Sequence, residues 1–367
     1  MSYKNTIALP YNIKNEKSQP RLSYIQTKTP NIQHVDCTKH KKIIKDSATK
    51  NLSGTPQNQT KTYTDLLLQW LQSKRITVKV STYSRYYSIV TTYLHPALGS
   101  LFLSQLTTQI IENYIYNLLI SGRKSNQKGL SPKTVSDILI IIKNSVEYGK
   151  NNGLDIPCNI KQISIKKQDK EMRVLNVEEQ SLLTNYLCQN TNLYKLGILL
   201  SLYTGIRIGE LCALKWEDLQ LPAGIIRISK TLQRIAAIGE HVKTKIIITA
   251  PKSAHSIRTI PLPDCIVPIV TLFQNDPQAY VLTGETNRYA EPRIIQYHFQ
   301  KYIKDIGLPP INYHTLRHTF ATRCVELGFD IKSLSEILGH ANVNITLNRY
   351  VHASFELKCL NMKKLTF

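Results

Sequence analysis

The hydrophobic residues between positions 61 and 155 recur every three to four residues, which is the spacing of one buried face of an α-helix. Pro96 and Gly99 interrupt this pattern and predict a break in the chain. The segment therefore predicts about four amphipathic helices, which together form a small helical domain. Their candidate N-terminal caps or starts are Thr64-Asp65, Ser81, Thr107-Thr108 and Ser131-Pro132.

Residues 173–367 mix two patterns. Asn176 followed by Glu178 and Glu179 is typical of a helix N-terminus, because the helix dipole favours acidic residues in the first turn. An apolar helix is predicted at 193–203. One short antiparallel sheet is predicted from three β-branched runs, Ile225–Thr231, Ile246–Ala250 and Thr259–Leu262. Further helices are predicted near Arg293–Ile306, Thr315–Leu327, Ser333–Leu338 and Ile345–Arg349. The predicted fold class is mainly α with a small antiparallel β-sheet.

Two segments show no sustained hydrophobic period. Residues 1–60 are rich in Lys, Asn, Gln, Ser and Thr, which predicts a basic, flexible N-terminal arm; a small nucleic-acid-binding module is the alternative. Residues 156–172 are also basic and predict a linker that can follow a phosphate backbone. The predicted organisation is an arm at 1–60, a helical domain at 61–155, a linker at 156–172 and a larger domain with a C-terminal tail at 173–367.

Charge narrows the possible functions. The 367 residues include 47 Lys and Arg against 25 Asp and Glu, a formal net charge of +22, and every predicted segment is positive. This distribution favours a polyanionic partner, nucleic acid above all, contacted by several parts of the chain. The alternatives are a basic soluble protein and one that meets anionic lipid. The longest apolar stretches, near Ile138–Ile142 and Leu196–Ile206, are shorter than the roughly 18–20 residues of a spanning helix. The opening MSYKNTIALP lacks the apolar region of a signal peptide, so neither secretion nor a membrane partner is expected.

The cysteines are scattered, odd in number and include no C-x-x-C pair. This pattern argues against a disulfide scaffold or a Cys-rich zinc site, and it favours a reducing compartment. The seven are Cys37, Cys158, Cys188, Cys212, Cys265, Cys324 and Cys359.

The segment TGIRIGEL carries the first candidate chemistry. It places Arg207 at a turn between two apolar helical stretches. The guanidinium is either a buried ion-pair partner, for instance of Glu210 three residues on, or a fixed cation aimed at an anion. Its planar fork fits two phosphate oxygens at once.

The segment YHTLRHTF carries the second group of candidate functional residues. His314, Arg317 and His318 are predicted on one face of a helix, because they are three and four residues apart. Two histidines four residues apart can bind zinc, but Thr315 stands where a zinc protease has its glutamate, and a cation lies between the histidines. A plain core helix and a phosphate clamp with a polar or proton-transferring histidine are the other interpretations.

Two further segments add candidates. Gly339 is a helix C-terminal signal, so His340 is predicted on the turn that leaves a helix, and Tyr350 on the end of the next one. Lys252 is predicted in the turn between two strands, where a flexible amine can reach into a groove.

Taken together, these segments resemble the tyrosine recombinases, the phage-integrase family. The similarity spans roughly residues 61–356. It includes the helix start GLSPKTV at Gly129–Val135 and the motifs TGIRIGEL, HTLRHTFAT and LGHANVNITLNRYVH. These motifs look most like those of integrases from bacterial conjugative elements and phages. The resemblance implies a helical core-binding (SAM-like) domain followed by an α-rich tyrosine-recombinase catalytic domain. It also implies a bacterial, cytoplasmic, nucleoid-associated protein.

The resemblance assigns roles to individual residues. Tyr350 is implied as the nucleophile that forms a 3′-phosphotyrosyl bond with DNA, and Arg207 and Arg317 as cations that neutralise the phosphate in the transition state. Lys252 is implied as the acid that protonates the departing 5′-oxygen; Lys243 and Lys245 are the alternatives, because the strand turn varies in length.

The resemblance implies two further catalytic residues and one supporting residue. His314 and His340 are implied as hydrogen-bond donors to the phosphate, and His314 also as an aid to deprotonation of the tyrosine. Glu210 matches the family's supporting acidic position. No metal and no other cofactor are implied, since side-chain cations carry the charge.

The implied partners are double-stranded DNA, a homotetramer on two paired sites, and an accessory DNA-bending or directionality protein. Three alternatives stay open: a Xer-like resolvase, a type IB-like topoisomerase and a DNA-binding protein without cleavage. The expected job is integration or excision of a mobile element. Side chains of the helical domain and linker are candidates for a DNA groove: Lys79, Tyr83, Arg85, Tyr86, Tyr87, Lys133, Lys166 and Lys167.

Overall fold

The computed structural model describes residues 60–123, 128–166, 172–240, 242–250, 256–350 and 362–363. The chain divides into two units, Met1–Gln57 and Asn58–Phe367, and every described residue belongs to the second. Several features predicted from the sequence lie outside the described residues: almost all of the arm at 1–60, Lys167, Lys252 and most of the tail after Tyr350.

A helical bundle forms the first part of the described chain. A π-helical turn, Val90–Leu94, joins its second helix to its third without a break, so the bundle has four rods, as the sequence predicts. A 3₁₀ turn at Leu103–Gln105 precedes the fourth helix. The helices are α1 (Tyr63–Thr77), α2 (Val80–Ile89), α3 (His95–Leu98), α4 (Thr108–Ser121) and α5 (Pro132–Asn151).

The helix starts follow local capping chemistry. The predicted cap at Thr64-Asp65 is wrong, because Thr62 caps α1 and Asp65 is its partner three residues on. The Asp65 carboxylate accepts from the Thr62 backbone N–H at 2.9 Å, which makes a reciprocal capping box. α2 begins at Val80, one residue before the predicted Ser81. Three predicted caps are confirmed, each accepting a backbone N–H in the first turn: Thr107, Ser131 and Asn176.

The predicted break at Pro96 is also wrong. The helical rod runs through Val90–Leu94 into α3, where Pro96 occupies the first turn, and it ends only at Gly99. Proline is tolerated there because the π-helical turn has already interrupted the regular hydrogen-bond ladder, so the missing N–H and the ring find room.

The bundle core includes part of the predicted linker. Tyr63, which is fully buried, shares a 2.9 Å hydrogen bond between its hydroxyl and that of Ser145. Four apolar residues beyond α5 join the same core: Ile156, Cys158, Ile160 and Ile163. Residues 156–163 therefore pack as part of the bundle.

Eight helices and five strands form the rest of the described chain. Two 3₁₀ turns, Trp216–Asp218 and Leu221–Ala223, flank the first strand. The helices are α6 (Val177–Cys188), α7 (Leu193–Thr204), α8 (Ile208–Ala213), α9 (Val267–Leu272), α10 (Pro292–Asp305), α11 (Thr315–Glu326), α12 (Ile331–Leu338) and α13 (Val343–Tyr350). The strands are β1 (Leu219–Gln220), β2 (Ile225–Ile228), β3 (Thr231–Ala236), β4 (Thr244–Thr249) and β5 (Arg258–Pro261). The mainly α fold class is confirmed.

The strands form two antiparallel sheets, so the prediction of one sheet is wrong. One has the order β1-β2-β5 and pairs Ile226 with Ile260; the other is the hairpin β3-β4, which pairs Leu232 with Ile248. The β-branched run at Ile225–Thr231 contains all of β2 and the first residue of β3. Composition marks such a run as extended, but the change of partner strand depends on distant residues.

α7 lies at the centre of this part and packs against α6, α8, α10 and α11. Nine of its twelve residues are buried, as expected of a helix that has neighbours on most sides. Its C-terminal end supplies one wall of the site described below. Helix α2 of the bundle contacts strand β3: the Ser84 hydroxyl donates to the Ala236 carbonyl at 3.1 Å.

No helix in the described ranges is long and apolar enough to span a bilayer.

Asn176→Ala is expected to destabilise the fold by about 1 kcal/mol, because it removes the N-cap acceptor of α6. The Asn176 side chain accepts from the Glu179 N–H at 2.7 Å, and the Glu179 carboxylate accepts from the Asn176 N–H at 2.9 Å. The measurement is the free energy of unfolding in urea. Asn185→Ala, at an exposed interior position of α6, is the control and should be neutral or slightly stabilising. Equal losses in the two variants would contradict the capping role.

Candidate active site

Four segments that are distant in sequence converge at one place. Arg207 is the residue before α8 and follows the short turn that ends α7, and His314 precedes α11, which carries Arg317 in its first turn. His340 follows α12, and Tyr350 ends α13. The turn at Gly205 requires glycine, because its φ is +65° and a Cβ there would lie 2.5 Å from Cδ1 of Phe320.

A buried carboxylate holds two of the arginines. Glu210 Oε1 accepts from Arg207 Nη1 at 2.8 Å and from Arg258 Nη1 at 3.1 Å. Its Oε2 accepts from the Arg207 backbone N–H at 2.9 Å and from Arg258 Nη2 at 2.8 Å. Burial acts to raise the pKa of Glu210, but the hydrogen bonds and charges of Arg258 and Arg207 outweigh it and hold the pKa below its usual range. The carboxylate is therefore ionised.

The same two arginines also fix the turn after α12. Arg207 Nη2 donates to the Gly339 carbonyl at 3.0 Å, and Arg258 Nε donates to the Ile337 carbonyl at 2.6 Å. The Arg258 side chain packs so closely on Gly339 that a Cβ there would lie 3.0 Å from Arg258 Cδ. His340 follows directly, so its position depends on the arginine network.

Arg317 joins two helix ends. Its Nη1 donates to the Gly205 carbonyl at 2.7 Å and its Nη2 to the Leu338 carbonyl at 2.6 Å. Carbonyls at helix C-termini have no partner within the helix and carry the negative end of the dipole, so a guanidinium suits them. Burial, followed by the charges of Arg207 and Arg258, lowers the pKa of Arg317, yet a guanidinium stays charged at neutral pH.

Tyr350 points into this cluster. Its hydroxyl lies 2.8 Å from Nδ1 of His318, and its ring stacks parallel to that of His340 with 6.4 Å between centroids. The residue is only 5% exposed. Burial raises the pKa of the Tyr350 phenol, against the opposing charges of Arg317 and Arg349. The tyrosine is therefore protonated at neutral pH.

The histidines of the site are neutral at pH 7. Burial, followed by nearby charges, lowers the pKa of His318 to about 4 and that of His340 to about 3. His314 is more exposed at the surface, but partial desolvation together with Arg317 and Arg349 lowers its pKa too. A neutral imidazole has one N–H donor and one acceptor nitrogen. His340 Nδ1 lies 2.8 Å from the Thr346 hydroxyl, so its other nitrogen remains for a ligand.

Two family models match the chain. The one described as "Phage integrase family" covers residues 173–356, and "Phage integrase, N-terminal SAM-like domain" covers residues 62–119. The first alone spans half of the chain. The chain belongs to the phage integrase family. It is a tyrosine recombinase of the transposon or phage type, an enzyme that breaks and rejoins DNA strands.

Individual relatives agree with this assignment. "Tyrosine recombinase XerC-like" of Caldanaerobacter subterraneus subsp. tengcongensis is 29% identical over 315 residues, which cover 78% of each chain. "Transposase from transposon Tn916" of Enterococcus faecalis is 31% identical over 187 residues, 46% of this chain and 44% of that protein. The solved structure of the Tn1549 transposon integrase with a circular intermediate DNA has a TM-score of 0.68 and 22% identity, over 83% of this chain and 99% of that chain.

The recombinase brings together five of the six residues expected to carry catalysis: Arg207, His314, Arg317, His340 and Tyr350. The sixth, Lys252, lies outside the described residues, between the end of β4 at Thr249 and the start of β5 at Arg258. Of the alternatives, Lys243 is exposed and Lys245 pairs with Glu240. The position of the lysine stays a prediction.

The described DNA-binding candidates lie on the bundle and on residues 156–166, which follow α5. Arg85 and Lys133 both pair with Asp137, where α2 meets the start of α5. Lys79 is the residue before α2, and Lys166 is exposed beside a groove of about 340 Å³ next to α4. Three tyrosines of the candidate set instead pack partly against the bundle core: Tyr83, Tyr86 and Tyr87.

Three residues of the site were missed as functional from sequence. Arg258 gave no local signal, because its partner Glu210 is 48 residues away. Thr346, the partner of His340, likewise had none. His318 was singled out only as half of a zinc pair with His314. Their rings do meet edge to face, 4.6 Å between centroids, but the described residues include no group of three or more potential metal ligands.

Glu210→Ala is expected to destabilise the recombinase by about 3–5 kcal/mol, since it leaves the buried Arg258 without its counter-charge. Thermal and urea unfolding measure the loss. Glu285→Ala is the control, because its pair with Arg288 is about half exposed and should be worth at most about 1 kcal/mol. A small loss for Glu210→Ala would contradict the importance of the network.

The same network makes the stability of the fold depend on pH. The folded-state pKa of Glu210 is lowered, so its ionised carboxylate adds to the free energy of unfolding. This stabilisation is fully present above the unfolded pKa of about 4.3 and is lost as the pH falls through the lowered folded-state value. Glu210→Gln should remove this component of the acid unfolding profile.

Proposed function

We propose that Tyr350 attacks a scissile phosphate of double-stranded DNA, forming a 3′-phosphotyrosyl bond and releasing a 5′-hydroxyl. The observation that carries the proposal is the placement of the Tyr350 hydroxyl within one cluster of cationic and imidazole groups. Attack by a second strand's 5′-hydroxyl reverses the step, so the bond energy is retained and no high-energy cofactor is needed.

Arg207 and Arg317 bind the phosphate in this proposal. Each guanidinium has five N–H donors and uses two of them to hold the fold, so donors remain for the non-bridging oxygens. Their fixed positions mean that little reorganisation is required as negative charge develops in the transition state.

The imidazoles complete the pocket. His314 and His340 donate hydrogen bonds to the phosphate. For His340 the support is specific: a Thr346 hydroxyl that donates to Nδ1 leaves the proton on Nε2, which is then a donor. Lys252 supplies the proton to the departing 5′-oxygen, with Lys245 and Lys243 as alternatives on the adjacent hairpin.

The biological role proposed is integration or excision of a mobile element, carried out by a homotetramer on two paired sites with an accessory DNA-bending or directionality protein. Support comes from the similarity to the Tn916 transposase. The similarity to a XerC-like recombinase favours a chromosomal resolvase as the second candidate. Either role places the enzyme in the bacterial cytoplasm with the nucleoid. The two roles differ in where the target sites lie.

Tyr350→Phe should bind DNA normally and form no covalent adduct. Both variant and wild type are mixed with nicked duplexes tiled over the DNA that flanks the coding sequence, and adducts are separated on a denaturing gel in the presence of EDTA. Tyr297→Phe, an exposed tyrosine on α10, is the matched control and should react like wild type.

The outcomes separate the candidate functions. A Tyr350-dependent adduct at one flanking sequence supports a mobile-element recombinase, whereas an adduct only at chromosomal sites favours the resolvase. Relaxation of supercoiled DNA without a defined site favours a topoisomerase. A persistent adduct in Tyr350→Phe places the nucleophile elsewhere. Binding with no adduct on any duplex would indicate a protein that binds DNA without cutting it.

DNA affinity is expected to fall steeply with salt, because the net charge of +22 is spread over the whole chain. The logarithm of the binding constant should fall linearly with the logarithm of salt concentration, with a slope of about −0.9 per neutralised phosphate. Lys166→Gln should make that slope shallower by about 1, and Lys166→Arg should restore it. A flat salt response would contradict the charge argument.

A further inference from the structure

The imidazole that contacts the nucleophilic hydroxyl belongs to a histidine outside the expected set. His318 lies in the first turn of α11 and Tyr350 at the end of α13, and these two helices pack against each other. The 2.8 Å separation of Nδ1 and the phenolic oxygen is a full hydrogen bond across 32 residues of sequence. His318 is half-buried and its ring is held edge to face against that of His314.

The chemistry of the contact has a defined direction. His318 is neutral at pH 7, and Tyr350 is protonated. The Arg349 side chain also donates to the phenolic oxygen, so the hydroxyl proton is left to donate to Nδ1, and this pairing puts the ring proton of His318 on Nε2. A buried phenol is a poor nucleophile until its proton is removed, so the atom that already accepts its hydrogen bond is placed to receive that proton.

We propose that His318 is the general base for Tyr350. This inference rests on the proposed function. As the phenolic oxygen forms its bond to phosphorus, its proton moves to His318 Nδ1 and the bond between phosphorus and the 5′-oxygen breaks. The 5′-oxygen takes a proton from the general acid proposed above. On rejoining, the attacking 5′-hydroxyl gives its proton to the general acid as its oxygen bonds to phosphorus. The phosphotyrosyl bond breaks and the proton on Nδ1 returns to the phenolic oxygen, so each atom and charge is restored.

The surroundings couple this transfer to DNA. His314, Arg317 on the same helix and Arg349 on α13 all disfavour a protonated His318 in the free protein. A bound phosphate brings a negative charge into the same cluster and opposes those cations. His318 therefore becomes an effective base only when a phosphate occupies the site, which keeps Tyr350 protonated in the absence of DNA.

The contact is tested first without DNA. Full-length protein with tyrosine labelled with ¹³C at Cζ is compared by NMR with His318→Ala and His318→Asn, and the Tyr350 signal is identified by its loss in Tyr350→Phe. Both His318 variants should shift the Tyr350 signal. The control His298→Ala removes a ring stacked on Tyr194 and should leave it in place. An unchanged Tyr350 signal in both His318 variants would overturn the inference.

The chemical role is tested on nicked duplexes with either oxygen or sulfur at the bridging 5′ position. Sulfur leaves without protonation, so it rescues defects in the general acid but not in the base. His318→Ala should slow adduct formation by about 10²–10³-fold on both substrates, with DNA binding and melting temperature unchanged. His318→Asn keeps a polar group near Nδ1 but accepts no proton, so it should stay at least about tenfold slow.

The outcomes are distinct. A His318→Ala rate within twofold of wild type, or a defect that sulfur removes, would overturn the role of His318 as base. A larger defect in His314→Ala that sulfur fails to rescue, with normal cleavage by His318→Ala, would assign the base to His314. Absence of a Tyr350-dependent adduct in wild type would overturn the proposed function itself, and the NMR comparison would still decide whether the contact exists.

Discussion

The site depends on one buried carboxylate. Glu210 is only 3% exposed, and its two oxygens accept four hydrogen bonds from Arg207 and Arg258. A buried ion is tolerated only when it is paired and its lone pairs are satisfied, and here both conditions hold. Through the second bonds of these arginines, the same carboxylate fixes the turn from Ile337 to Gly339 and hence the position of His340.

Around that carboxylate the cations are in excess. Arg207, Arg258, Arg317 and Arg349 all act on the pKa of His340, and they outnumber the single acid among them. Together with burial, this excess positive charge lowers the pKa of His314, His318 and His340, which are neutral at pH 7. Three of these arginines, Arg207, Arg258 and Arg317, are anchored on helix-terminal carbonyls, so the charge is held in place by the backbone itself. In the proposed function, this arrangement is a phosphate site that is formed before DNA binds.

Much of the fold follows from local chemistry. The caps Thr107, Ser131 and Asn176 mark three helix starts, because each cap bonds to an N–H within its own first turn. Where partners are distant, local patterns fail. Three features depend on contacts that periodicity does not record: the π-helical turn that accommodates Pro96, the division of the strands into two sheets, and the burial of Ile156, Cys158, Ile160 and Ile163.

The sequence by itself determined the helical class, the family and the segments that hold Arg207, His314, Arg317, His340 and Tyr350. Spacing within a helix and short motifs are local properties, so they can be seen in the chain alone. Only the tertiary structure decided that His318 and Tyr350 share a hydrogen bond and that Arg258 shares the carboxylate of Glu210. These partners are 32 and 48 residues apart, and the packing of separate helices and strands brings them together.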